Sequence, residues 1–341
     1  MMTATTLNSP ESELITLEDV ERAAVRIAPF VRHPATCRNQ TLSERLNTNV
    51  YLKPELFQKT GAFKLRGAFN KALTLSEEQK QTGVVAVSGG NHAQAVAYAA
   101  KTLGLNATIL MPEFTPRNYL DATANYGAEI VLTKSLMEAF KQVPLYEAHG
   151  FAYIHPYDDP YVIAGQGTIG LEIFADVPQV TDVVLSVGGG GLAGGVATAL
   201  KALKPEVRVW GVETEGTHSM ASALAANRVV ELPAITSIAK TLGAPAVTER
   251  TLALAKKYLE SVTVVKDEEA VSELKFLLER VKLLTEPAAS CTLAAAEHLR
   301  SNFSQDSHVV LILCGGNFGV EDLFRYYQQH SILNEQVEFA A

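Results

Sequence analysis

Short apolar runs rich in valine alternate along most of this chain with helical patterns of ten residues or more, and this alternation narrows the fold more than any other feature. Residues 84–87, 107–111, 129–132, 182–187, 207–212 and 309–313 read as buried strands. Residues 93–103, 116–126, 135–147, 162–174, 192–203 and 268–283 read as the intervening helices. An earlier helix opens at Thr16, a suitable N-cap, with Glu18 and Asp19 in its first turn, and runs to about Ala28. Strands alternating with helices of this length build βαβ units and a mostly parallel sheet. The expected class is α/β, with two open, mostly parallel domains sharing a cleft. The 341 residues suffice for both, with crossings near 78 and 158, so that 1–78 and 159–341 form the larger domain and 79–158 the smaller. In such sheets ligands sit beyond the carboxyl ends of strands, where helices begin. Three of these turns are unusually rich in glycine and small polar residues.

Composition removes several function classes. Hydrophobic residues make up 47% and charged ones 19%, which supports a core and argues against disorder. The net charge, 29 − 37 = −8, offers no basic face for nucleic acid. Cys37, Cys291 and Cys314 have neither disulfide-frame nor zinc-site spacing, which fits a reducing compartment. Residues 1–14 are largely polar and do not resemble a secretory signal, and no apolar run approaches the roughly 18 residues of a membrane span. A cytoplasmic protein is expected.

Ser186-Val187-Gly188-Gly189-Gly190-Gly191-Leu192 follows a strand and opens a helix. Four successive glycines let backbone N–H groups crowd one point, and the helix N-terminus adds a positive dipole end. That is a phosphate cradle, although a turn needed only for packing would use the same residues. The stretch 188–195 also contains G-x-G-x-x-G, as Gly189, Gly191 and Gly194, and Glu213 ends the next strand. Dinucleotide folds place a ribose-binding acid at a similar offset, ~20 residues. A nicotinamide-dependent dehydrogenase therefore competes with a lone phosphate group, and this turn alone does not separate them.

Thr60-Gly61-Ala62-Phe63-Lys64-Leu65-Arg66-Gly67-Ala68 follows an extended stretch, residues 50–56. A lone lysine is normally a solvated charge, but Lys64 lies between Phe63 and Leu65 among small residues. Burial would lower its pKa and leave a nucleophilic amine able to form a Schiff base.

Phe63-Lys64-Leu65-Arg66-Gly67-Ala68 resembles the cofactor-lysine motif of the threonine/serine dehydratase and serine racemase group, the tryptophan-synthase-β-like pyridoxal-phosphate enzymes. The likeness continues in register across most of residues 16–325. It includes Ser88-Gly89-Gly90-Asn91-His92, Ala164-Gly165-Gln166-Gly167-Thr168, the glycines 188–191, Glu286-Pro287-Ala288 and Cys314-Gly315-Gly316-Asn317. The resemblance implies pyridoxal 5'-phosphate in a cleft between two α/β domains. It implies Lys64 as the bonding lysine and general base, Phe63 beside the cofactor, and Gly188, Gly189, Gly190 and Gly191 with Leu192 as the phosphate loop.

Ser88, Gly89, Gly90, Asn91 and His92 stand where another strand gives way to a helix. Backbone donors there suit a substrate carboxylate, and the Asn91 amide suits a cofactor ring oxygen, as in family members. Simple capping by Ser88 or Asn91 is the alternative. His92 reads as a buried structural histidine near the cofactor rather than a proton carrier. In the family a hydroxyl or thiol at the Cys314 position faces the pyridine nitrogen. A thiol is a weak, near-neutral partner there, which favours β-elimination over transamination. Glu286 either approaches the ring or caps the helix starting at Pro287.

Racemases of the family carry a serine at the position of Gly89 as a second acid/base, so any racemase activity here should be minor. The expected reaction converts a β-hydroxy amino acid, L-threonine or L-serine, to a 2-keto acid and ammonia. Residues 237–243 depart from the family's Ala-Asp-Gly, so 3-phenylserine and 3-hydroxyaspartate stay open as substrates. Lys240 either pairs with an acidic substrate group or is solvated. Relatives bind a cation through an acid at the Glu213 position, with Thr217 and Ser219 here where further ligands are expected; a divalent or monovalent cation is allowed but not required. The family also suggests a homodimer. The chain ends soon after Cys314, so neither a regulatory domain nor feedback by isoleucine is expected.

Overall fold

The computed structural model describes residues 14–329, so the polar N-terminal segment up to residue 13 lies outside the described residues. Ten strands occur among them: β1 (Cys37–Arg38), β2 (Asn49–Pro54), β3 (Val84–Val87), β4 (Ala107–Pro112), β5 (Glu129–Thr133), β6 (Ala152–Tyr153), β7 (Asp182–Ser186), β8 (Arg208–Thr214), β9 (Leu259–Val265) and β10 (His308–Leu313). They form a six-stranded sheet in the order β1-β2-β10-β7-β8-β9 and a four-stranded sheet in the order β5-β4-β3-β6. The β1–β2 pair is antiparallel and every other pair is parallel. The chain is thus α/β with mostly parallel sheets, as its strand–helix alternation dictates.

The central strands are apolar on both faces because helices cover both. Val84, Val85, Ala86, Val183, Val184 and Leu311 have no exposed surface. Residues 129–132 depart from the expectation of a buried strand. β5 is the edge of the smaller sheet, and Leu132 is 56% exposed. The single helix expected over 268–283 is α-helical only as Asp267–Phe276. A wider π-turn, Leu277–Val281, follows and ends at Lys282 in the left-handed region. Leu283 N reaches back to Leu277 O (3.0 Å), closing that turn. No helix among the described residues is long and apolar enough to cross a membrane.

The helix Lys64–Ala72 packs against the helices Asn91–Leu103 and Pro160–Asp176 and lends Leu65, Phe69 and Ala72 to the core of the smaller sheet. Gly165 makes this approach possible, since a Cβ there would lie 2.7 Å from the Gly67 Cα. Beneath the helix, the fully buried Arg66 guanidinium donates to both oxygens of Glu55 (2.8 Å each) and both of Glu172 (2.7 Å each). Buried Lys53 also donates to Glu172 (2.6 Å). Buried charges persist only when paired in this way, and breaking one pair leaves the other charge uncompensated. The cluster therefore fixes the helix that begins at Lys64.

Candidate active site

The first turn of that helix is stapled to the end of β10. Ala62 and Gly315 form an antiparallel bridge, Phe63 N donates to Cys314 O (3.0 Å), and Gly316 N donates to Gly61 O (2.9 Å). Lys64 is thereby set beside Cys314 at the carboxyl ends of the strands. Its Nζ donates to the Pro156 carbonyl (2.6 Å). The side chain faces a cavity of about 210 Å³, so water reaches part of it while the surrounding protein desolvates the amine. Burial pushes its pKa down to about 8, against the opposing pull of Cys314 and Glu286. Phe63, residues 88–92, residues 188–192, Glu286 and Cys314 line the same cavity.

The glycine turn connects β7 to the helix Gly191–Leu203, with Gly190 at φ +95°. Among the described residues, the N–H groups of Gly188, Gly189 and Gly190 donate to no protein acceptor. A Cβ on Gly189 would fall within the ring of Tyr157, whose hydroxyl donates to Ala246 O (3.0 Å). The nest is therefore a set of free donors, kept narrow by an aromatic wall.

At the Asn-His turn the side chains do more than cap. The N-cap of the helix Asn91–Leu103 is Gly90, with no side-chain capping bond. Ser88 Oγ accepts from Gly90 N (3.0 Å). Asn91 Nδ2 donates to Glu286 Oε1 (2.8 Å) and Oε2 (3.1 Å), and Asn317 Nδ2 donates to Asn91 Oδ1 (2.9 Å). Glu286 occupies the position before Pro287 without capping that helix, and Thr241 Oγ1 also donates to it (2.9 Å). Burial pushes Glu286 up to about 7, while the Asn91 and Thr241 bonds and the Lys64 charge hold it down.

His92 Nε2 donates to Ile154 O (2.8 Å), which leaves Nδ1 a lone-pair acceptor without a partner. Burial and the Lys64 charge hold its pKa down to about 3, so the ring is neutral. Cys314 Sγ donates to Ala288 O (3.5 Å) and lies near Ser186 Oγ (3.9 Å). Burial and the Glu286 charge push this thiol well above its usual range, and it stays protonated.

Two further candidates stand apart from this cluster, one at the edge of the cavity and one away from it. Lys240 is exposed, at the rim of the cavity. Glu213 is fully buried at the end of β8, where its oxygens accept from Met220 N (2.9 Å) and Ala221 N (2.8 Å) at the start of the helix Ser219–Ala226. Burial pushes it up to about 8 against those two amides. Among the described residues no cluster of three or more His, Cys, Asp or Glu side chains is placed to hold a metal. Since Glu213 does not face the cavity, it is not a ribose-binding acid for the glycine turn.

A desolvated amine, a nest of free N–H donors and a neutral thiol around one cavity fit a phosphorylated pyridine aldehyde, and they define a protein that bonds such a cofactor in the cleft of an α/β fold. The chain belongs to the family described as pyridoxal-phosphate dependent enzymes, whose model matches residues 29–315. It is 40% identical over 314 residues to the L-threonine ammonia-lyase of Thermotoga maritima, covering 92% of this chain and 78% of that one. The crystal structure of a T.th. threonine deaminase superposes with a TM-score of 0.84 at 38% identity, over 89% of this chain and 99% of that one. The structure of maize serine racemase gives a TM-score of 0.87 at 32% identity, over 94% and 99%. The dehydrogenase alternative falls with this assignment.

Sequence reasoning missed several groups that complete the site. Thr241 lies in the stretch 237–243 that departs from the family, and nothing local in that stretch signals its bond to Glu286. Asn317 ends the Cys314-Gly315-Gly316-Asn317 motif, and its bonds to Thr60 O and Asn91 Oδ1 carry no local sequence signal. Pro156 contributes only a carbonyl, and Tyr157 only a ring against a glycine; neither leaves a signal in sequence.

Proposed function

We propose that this chain is a pyridoxal-phosphate-dependent L-threonine ammonia-lyase that also accepts L-serine. The observation that carries this reading is the desolvated Lys64 amine, facing one cavity with the glycine nest and the Cys314 thiol. The identity to an L-threonine ammonia-lyase over most of the chain supports it. The cofactor supplies the electron sink that makes the Cα proton of a bound amino acid acidic. Gly188, Gly189, Gly190 and Gly191 would hold its phosphate, and Phe63, Leu192 and Asn91 would position its ring. Asn91 is itself held by Asn317 and Glu286. With a pKa near 8, Lys64 is partly neutral at physiological pH and takes the Cα proton at Nζ. The neutral Cys314 thiol would offer the pyridine nitrogen only a weak partner, which would favour loss of the β-hydroxyl over transamination. Backbone donors of residues 88–92 hold the substrate carboxylate.

The apolar side chains Phe114, Leu136 and Phe140 also line the cavity. They suit the methyl group of threonine better than the second carboxylate of 3-hydroxyaspartate. Gly89 offers no side chain for a second acid/base, so keto-acid release should outpace racemisation. The reading divides the chain into two domains near residues 78 and 158, supported by the separate sheet of β3 to β6. It includes the homodimer suggested by the family and a cytoplasmic setting, which three free cysteines favour. The test is keto-acid release from L-threonine, L-serine, 3-phenylserine and 3-hydroxyaspartate, alongside the visible absorbance of the bonded cofactor. Lys64→Ala should lose both signals, and a variant with full turnover would end the proposal.

A further inference from the structure

We infer that Thr115 donates a side-chain hydrogen bond to the substrate carboxylate, filling the place that Gly89 leaves without a side chain. β4 ends at Pro112, and the chain then turns back, with Thr115 N donating to Pro112 O (2.9 Å). The turn brings Thr115 beneath residues 88–92 and into the wall of the cavity that holds Lys64. Thr115 is 7% exposed, and its Oγ1 has no hydrogen-bond partner. A buried hydroxyl without a partner is unfavourable; Thr115 lines the cavity while its Oγ1 is tucked beside Gly89, so a rotation about χ1 turns this unpartnered donor toward an anion arriving at residues 88–92.

Its position shows what it replaces. A Cβ built on Gly89 would lie 2.8 Å from Thr115 Oγ1, with Pro112 Cδ (3.4 Å) and Thr115 Cγ2 (3.7 Å) next. The hydroxyl therefore stands beside the space that a side chain at position 89 would occupy. The Asn91 amide is already engaged by Glu286 and Asn317, and His92 offers the cavity only a lone pair. The hydroxyls of Ser88 and Thr115 remain as the side-chain donors of this corner, and Thr115 is the more deeply buried of the two. An acceptor-only anion matches a hydroxyl donor set beside backbone N–H groups. The inference rests on the amino-acid substrate of the proposed function and adds a specific residue to its carboxylate site.

The test compares holoenzyme of the wild type, Thr115→Val, Thr115→Ser and the double variant Thr115→Ala/Gly89→Ser. It reads kcat and KM for L-threonine, the affinity for L-alanine from the change in cofactor absorbance, and Tm without substrate. L-Alanine has the carboxylate but no β-hydroxyl to expel. Thr115→Val should weaken L-alanine binding and raise KM by roughly tenfold while kcat stays within about threefold. Its Tm should not fall, because a methyl replaces an unbonded hydroxyl. Thr115→Ser should stay near wild type, and the double variant should recover most of the affinity, its new hydroxyl entering the vacated space.

Unchanged L-alanine affinity in Thr115→Val would overturn the inference, as would a lowered Tm accompanied by wild-type KM. If the wild type turns over L-threonine and Thr115→Val matches its KM, the inference alone fails. If the wild type binds L-alanine through Thr115 but releases no keto acid from L-threonine, the substrate reading alone fails.

Discussion

Replacing Lys64 with methionine should stabilise the cofactor-free protein at neutral pH, although it removes the proposed catalytic amine. The native amine titrates near 8, against 10.5 for an unperturbed lysine. Below about pH 8 both native and unfolded chains are protonated at this site, and the native state bears the full cost of a buried ammonium. Between about 8 and 10.5 the unfolded chain binds more protons than the native one, so stability rises with pH and the cost fades. A gap of 10.5 − 8 corresponds to about 3 kcal/mol. Methionine is similar in length and apolar, but it gives up the bond to Pro156 O, which offsets about 1 kcal/mol. The expected gain is about 2 kcal/mol near neutral pH, falling to nothing or slightly below near pH 10.5. Urea denaturation of both proteins at the two pH values reads the difference directly and cancels the titration of distant groups. A less stable variant at neutral pH, or a difference that does not change with pH, would refute the account of Lys64 as a desolvated amine.

Other perturbations address the surrounding groups. Thr241→Val removes a hydrogen bond that holds the Glu286 pKa down, so this carboxyl should titrate at higher pH in the variant, read by infrared difference titration of its protonated band. Gly189→Ala drives a methyl into the Tyr157 ring and should weaken cofactor retention at least about tenfold, read by absorbance after dialysis. Glu172→Gln leaves Arg66 and Lys53 short of a negative partner and should lower stability by about 3 kcal/mol or more in chemical denaturation.

What could be read from the sequence follows from burial. The strands at 84–87, 182–187 and 309–313 were legible because helices cover both their faces, so each carries a continuous stretch of at least three apolar residues. β9 was not anticipated. It is an edge strand beginning Leu-Glu-Ser, half exposed, with no such run. The helix Pro287–His298 was legible only at its start, where Pro287 follows Glu286; its alanines and small residues are buried all round, so no polar face marks a helical period or shows where it ends. In the site, the three glycine and lysine turns announced themselves by composition. Their partnerships did not. Thr241 meets Glu286 across 45 positions and Asn91 meets Asn317 across 226, distances over which local patterning carries no information. Thr115 was invisible because its significance is the absence of a partner within the fold.

The bridge between Ala62 and Gly315 joins positions 315 − 62 = 253 residues apart. A ribosome delivers the lysine early and its binding wall almost last. Until β10 slides between β2 and β7, the amine has neither its cysteine neighbour nor the strand end that positions its helix. The wall that seats the lysine beside Cys314 is therefore complete only once the C-terminal strand has docked.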